Sequence, residues 1–186
     1  MDTSDFRNGL SIIVDNDIFT IVDFQHVKPG KGGAFVRSKL KNIRTGATID
    51  KTWRAGEKMD QAILDRYPLQ FSYEQAGEYF FMDTESYEIS PVAKEKIGSG
   101  VKYLREGLEV TALAHAGEII NVELPITVEA LIADTEPGER GNTASGGGKP
   151  ATLETGAVVQ VPFFINIGDK VKVDTRSDEY LERVKE

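Results

Sequence analysis

The chain has 186 residues, 40% of them hydrophobic and 28% charged, a formal net charge of −8 and no cysteine. That length admits one domain or a few small modules, the apolar content fits ordered packing, and the missing thiols exclude disulfides, thiolate zinc sites and cysteine nucleophiles. The polar start MDTSDFRNGL and the lack of any run near the ~18 apolar residues of a membrane span point away from a leader or membrane segment and toward the cytoplasm.

In chain order, the apolar runs are short, rich in Val, Ile, Phe and Tyr, and broken by turn residues at the spacing of small all-β modules, so helix is the minority state. Leu10 to Val14 and Ile18 to Phe24 flank Asp15-Asn16-Asp17 and read as a hairpin. Lys28-Pro29-Gly30-Lys31-Gly32-Gly33 interrupts the pattern. Proline fixes one φ and the glycines permit positive φ on both sides of a lysine, which predicts Lys31 at an exposed tip. Ala34 to Lys41 reads as a strand with Phe35, Arg37, Lys39 and Lys41 on one face and Val36, Ser38 and Leu40 on the other. Arg44-Thr45-Gly46 then turns the chain into Thr48 to Trp53, and a five- to six-stranded small barrel is expected to close by about residue 64.

A second module opens near Tyr67-Pro68, with Leu69 to Tyr73 and Tyr79 to Met82 as strands. Its aromatic residues Phe71, Tyr73, Tyr79, Phe80, Phe81 and Tyr87 are assigned to the core in preference to a base-stacking platform. Ser90-Pro91-Val92 carries the signals of a helix start, and Gly98 those of its end. Leu108 to Ala114 and Ile119 to Leu124 form a further hairpin across Ala116-Gly117, and Pro125 marks the next boundary. The domains are therefore 1–64, 65–127 and 128–186, joined by connectors too short for free movement. In the third, Val128 to Ala133, Ala157 to Val161, Phe163 to Ile167 and Lys170 to Asp174 supply strands. Pro137 to Pro150 is a long glycine-rich loop whose amides and hydroxyls suit close approach to RNA.

Charge is unevenly spread. Residues 1–64 carry ten basic against eight acidic side chains (+2), residues 65–127 five against eleven (−6), and residues 128–186 seven against eleven (−4). Within 27–54, Lys28, Lys31, Arg37, Lys39, Lys41, Arg44, Lys51 and Arg54 face Asp50 alone, a patch that fits phosphate.

Motifs for enzymatic chemistry fail on their residues. A P-loop needs glycine where Thr143 stands and Ser or Thr where Pro150 follows Lys149. A dinucleotide fingerprint is broken by Phe35 and lacks its βαβ setting. His26 and His115 lie in different modules and read as structural, with no metal pair. Asp83, Glu85, Glu88, Glu106 and Glu109 read as solvated surface rather than a catalytic pair. No catalytic residue, metal or cofactor is assigned. The residues alone leave Lys31 open between a solvated loop lysine and a cation presented to a crowded RNA site.

Asp5-Phe6-Arg7-Asn8-Gly9, Val27 to Arg37, Phe81-Met82-Asp83-Thr84 and the third-module loop together resemble elongation factor P. Most specific is the C-terminal spacing of Lys149, Ala151, Gly156, Val159, Val161, Pro162, Ile165 and Gly168. The resemblance runs the whole chain in order. It implies an L-shaped, tRNA-like molecule made of an SH3-like (KOW-like) N-terminal barrel and two OB-fold barrels. That molecule would be a monomeric, non-enzymatic factor binding the ribosome between the P and E sites and helping P-site peptidyl-tRNA to react, above all across consecutive prolines. Lys31 becomes the functional loop tip, with Lys28, Pro29, Gly30, Gly32 and Gly33 as its support. Arg37, Lys39, Lys41 and Lys149 become candidate RNA contacts, and Gly141, Asn142, Thr143 and Ala144 lie near the E-site mRNA codon. Asn142 stands where the family often has Asp. Lysine at the tip removes the glycosylated-arginine route and leaves open the modified and unmodified lysine routes, so a lysine-modifying enzyme is an implied partner. The rivals are a paralogous family differing at the tip, a small carboxylate hydrolase, and a generic single-strand binder.

Overall fold

A computed structural model describes residues 1–137 and 147–184. The first apolar runs form β1 (Ser11–Val14), β2 (Asp17–Val27), β3 (Phe35–Asn42), β4 (Thr48–Arg54) and the short β5 (Asp60–Gln61). They make one antiparallel sheet in the order β4-β3-β2-β1-β5. Asp15 and Asn16 both take positive φ between the paired Val14 and Asp17, the geometry a two-residue hairpin with right-handed strand twist requires. The expected alternation on β3 is present: Val36, Ser38, Leu40 and Asn42 are buried, while Arg37, Lys39 and Lys41 are exposed.

Behind β3 lies a core that includes Phe6, Ile12, Ile21, Val36, Leu40 and Trp53. Trp53 meets Phe6 edge-on at 5.8 Å and donates its indole N–H to Ser38 Oγ at 2.8 Å, in buried surroundings. Ser38→Ala orphans that donor, and a buried unpaired N–H costs about 1–3 kcal/mol. Urea unfolding followed by the emission of Trp53, the chain's single tryptophan, should show a loss of that size with an unchanged slope. An unaltered midpoint would refute the role given to Ser38. Asn42 holds the next turn, accepting from Arg44 N at 2.9 Å and Thr45 N at 3.0 Å, while Arg44 pairs with Asp17.

The next strands are β6 (Asp65–Gln75), β7 (Glu78–Asp83), β8 (Ile89–Val92), β9 (Glu109–His115) and β10 (Glu118–Glu123), ordered β10-β9-β6-β7-β8. Ser90 and Pro91 do not open a helix. They lie in β8, an edge strand of this sheet, where a proline lacking its N–H is tolerated. The helix, α1 (Lys94–Ile97), starts beyond them and stops at Gly98, whose φ of +65° favours glycine. A 3-10 turn, Gly98–Tyr103, follows. The aromatic residues also divide: Phe71 and Phe81 are buried, whereas Tyr73 and Tyr87 are exposed.

The last strands are β11 (Thr127–Thr135), β12 (Gly148–Leu153), β13 (Val158–Pro162), β14 (Lys170–Asp174) and β15 (Glu179–Arg183). They form a closed barrel, β11-β12-β13-β15-β14, completed by the parallel pairing of β13 with β15. Phe163 to Ile167, expected as a strand, is turn backbone. Only Ile165 points inward while Phe164 and Ile167 are exposed, and Asp169 Oδ2 accepts from Asn166 N at 2.8 Å to fix the bend. β12 and β15 were not anticipated; the strand β12 absorbs Lys149 and Pro150, which the sequence places in the loop.

The chain groups into two compact units, Met1–Tyr67 with Ala112–Val122, and Pro68–Thr111 with Glu123–Glu186. In the second, Tyr103 is 1% exposed and belongs to the same core as Val128, Ile132, Leu153 and Val171 of the barrel. Its hydroxyl donates to Asp178 Oδ1 at 2.6 Å, and Lys102 Nζ donates to Asp178 Oδ2 at 2.6 Å. The Lys102 bond first, and the Tyr103 bond second, hold the Asp178 carboxyl below its ordinary range; burial, then Asp178, pushes the Tyr103 phenol up. Because Asp178 titrates lower in the folded state, its contribution is present above the unfolded carboxylate pKa and is lost as pH falls through the folded one. Asp178→Asn should therefore melt below wild type near neutral pH, and the difference should shrink in acid. A difference independent of pH would contradict this.

Candidate functional site

Antiparallel pairing carries β2 and β3 together from Phe19 with Asn42 to Val27 with Phe35, and Phe35 also pairs with Arg54 of β4. The chain between, Lys28 through Ala34, is exposed at every residue. Ala55 N donates to Ala34 O at 3.1 Å and fixes one side of the stem. Gly32 has φ +107°, a conformation that a side chain strains, and Pro29 lies 3.9 Å from where its Cβ would be. A Cβ on Gly30 or Gly33 would meet nothing within 4 Å. Lys31 thus stands between glycines on an open tip held by a three-strand stem.

Basic side chains continue from that stem along β3. Arg37 lies over the Phe35 ring at 5.4 Å and pairs in register with Gln25 and Thr52, while Lys41 pairs with Thr20 and Thr48. Lys39 differs: its cross-strand partners are Asp23 and Asp50. Directly opposed residues on an antiparallel sheet share a face, so two carboxylates flank Lys39 across the sheet, while Arg37 and Lys41 have none opposite them. The sequence concealed this because the register shifts between Ile21 and Asp23. Lys51, on the adjoining strand, sits 4.9 Å over the Trp53 ring.

The other sequence candidates fare differently. Lys149 is 4% exposed and donates Nζ to Glu136 O at 2.5 Å. Beside it Thr135 Oγ1 donates to Pro150 O at 2.9 Å. Lys149 therefore clamps the stems of the glycine-rich loop from inside. Gly141, Asn142, Thr143 and Ala144 lie outside the described residues. Asp83 caps a turn, accepting from Glu85 N and Ser86 N at 2.8 Å each. Those bonds, Ser86 first, keep its carboxyl below the ordinary range, the opposite of what a general acid needs. Among the described residues no group of three or more His, Asp or Glu is placed to hold a metal ion, and no helix is long and apolar enough to cross a membrane.

Three family models match the chain. The elongation factor P KOW-like domain matches residues 2–59, the elongation factor P OB domain residues 64–122, and the elongation factor P C-terminal model residues 128–183. Elongation factor P of Thermoanaerobacter sp. (strain X514) is 54% identical over 97% of both chains. That of Caldanaerobacter subterraneus subsp. tengcongensis is 55% identical over the same shares. Among solved structures, eukaryotic translation initiation factor 5A from Methanococcus jannaschii aligns with a TM-score of 0.52 at 26% identity, covering 66% of this chain and 92% of that one. With matched segments spanning nearly every residue and identities above half, the chain belongs to the elongation factor P family of translation factors.

Proposed function

We propose that this chain binds the ribosome between the P and E sites, orients peptidyl-tRNA for bond formation, and relieves stalling at consecutive prolines. The observation that carries this reading is Lys31 on a fully exposed, open-sided loop whose stem continues into the basic face of β3, in a member of the elongation factor P family. A loop that narrow can enter a crowded RNA cavity, and a single cation at its end suits phosphate rather than base readout. The protein then acts entropically: a docked body with a fixed stem restricts the misaligned acceptor end to attack geometry, and the bond chemistry stays with the ribosome. The same exposure leaves the Lys31 ammonium open to a modifying enzyme. The three matched segments, 2–59, 64–122 and 128–183, are consistent with three modules that meet near 64/65 and 127/128. Contact between residues 141–144 and the E-site codon rests on the family resemblance of that loop.

Two measurements test the placement. A photocrosslinker at position 31 should label the acceptor end of P-site tRNA on proline-stalled ribosomes; labelling confined to other RNA would contradict it. Charge reversal on β3 should rank unequally. Arg37→Glu and Lys41→Glu should each weaken ribosome co-sedimentation and flatten its salt dependence, because phosphate contacts release counterions. Lys39→Glu should do less, because Asp23 and Asp50 already oppose that charge. Equal losses at the three positions would refute the bracketing.

A further inference from the structure

The sheet formed by β6, β7 and β8 has one face in its core, with Leu69, Phe71, Phe81 and Val92 buried. Its other face is partly open to solvent, with Phe80 and Met82 half-buried. Tyr73 pairs with Phe80 and Phe80 with Pro91, making one row across three strands; Met82 and Ile89 make the next. Tyr73 and Phe80 stack with ring centroids 4.7 Å apart and planes 17° apart. Tyr73 is 45% and Ile89 50% exposed. A stacked pair with one ring half open to water, beside the exposed Ile89, marks an interaction surface.

Charge selects the occupant. From Pro68 to Val92 the chain has five acidic side chains, Glu74, Glu78, Asp83, Glu85 and Glu88, and no Lys, Arg or His. Glu78 lies two residues from Phe80 on the same face, whereas Glu74 turns to the other face opposite Tyr79 and accepts from Gly77 N at 2.9 Å; Glu85 and Glu88 lie by the Ile89 end, and all four are exposed. Single-stranded nucleic acid stacks on such aromatics only where basic groups meet its phosphates, and none stands between Pro68 and Val92; Arg66 lies at the far end of β6 from the Tyr73–Phe80 stack. A second copy would set acid against acid. An extended arginine-rich protein segment satisfies both features, since guanidinium groups stack on aromatic faces and pair with carboxylates. We infer that the outer face of β6–β8 docks an arginine-rich segment of a partner protein, with Tyr73 and Phe80 as the stacking platform and Glu78 as the pairing acid.

The test is a titration of the full-length protein with a fluorescein-labelled peptide of alternating arginine and glycine at low ionic strength, read by anisotropy. Saturable binding is expected, weaker for the lysine–glycine counterpart. Tyr73→Ala and, separately, Glu78→Gln should each weaken it, the former about tenfold, with melting temperatures like wild type. Absence of saturable binding, or binding indifferent to both variants, would overturn the inference. So would an unstructured oligonucleotide that binds in a Tyr73-dependent manner, or a dimer in sedimentation that Tyr73→Ala disperses. Those results would assign the face to nucleic acid or to a second copy.

Discussion

Lys31→Ala is expected to reduce the factor's acceleration of proline–proline bond formation at least about tenfold, equivalent to about 1.4 kcal/mol of barrier lowering lost, while leaving the fold intact. Folding should survive because Lys28 through Ala34 are exposed at every residue and belong to no core. Ribosome binding should survive in large part because Arg37 and Lys41 remain on β3. The acceleration should fall because Gly30 and Gly32, which flank Lys31, carry no side chain that could replace its cation. Lys31→Arg, which keeps the charge but exchanges a compact ammonium for a broad planar fork, should rescue only part of the rate. Full activity of Lys31→Ala, with equal binding, would remove the tip from the mechanism.

The largest loss of stability is expected from Tyr103→Ala. Removing a fully buried aromatic side chain costs about 3–5 kcal/mol, and Tyr103 is both a member of the barrel core and a hydrogen-bond donor to Asp178. Tyr103→Phe separates the two contributions: it keeps the ring and leaves Asp178 with Lys102, so it should cost about 1 kcal/mol. Amide exchange in β11–β15 reads both variants. Protection should collapse in the alanine variant and weaken slightly in the phenylalanine one. Wild-type protection in Tyr103→Ala would show that the barrel core closes without this ring.

What the residues disclosed in advance was governed by alternation and turn chemistry. The strand β3 was legible because Val36, Ser38 and Leu40 alternate with Arg37, Lys39 and Lys41, and the exposed loop because glycine and proline leave few other conformations. Where the same residue types serve two backbones, the reading failed. Ser90-Pro91 suits a helix start or an edge strand, and the sheet decided. β15 escaped notice because a strand reading Glu-Tyr-Leu-Glu-Arg buries little and shows no pattern. Lys149 looked like a surface cation, yet β12 turns it inward to a carbonyl. The unequal charges along β3 and the exposed Tyr73–Phe80 stack depend on cross-strand register, which no local window contains. At the candidate site, then, the tip and its basic strand were legible, while their modulation by Asp23 and Asp50 was not.

By the proposed function, this chain should accelerate peptide-bond formation selectively where proline follows proline. The most direct measurement is tripeptide formation on ribosomes programmed with consecutive proline codons, beside a message without proline, with and without the protein purified from its native source. Faster synthesis is expected on the proline message and no change on the other. Equal rates on the proline message with the folded, natively modified protein present would contradict it.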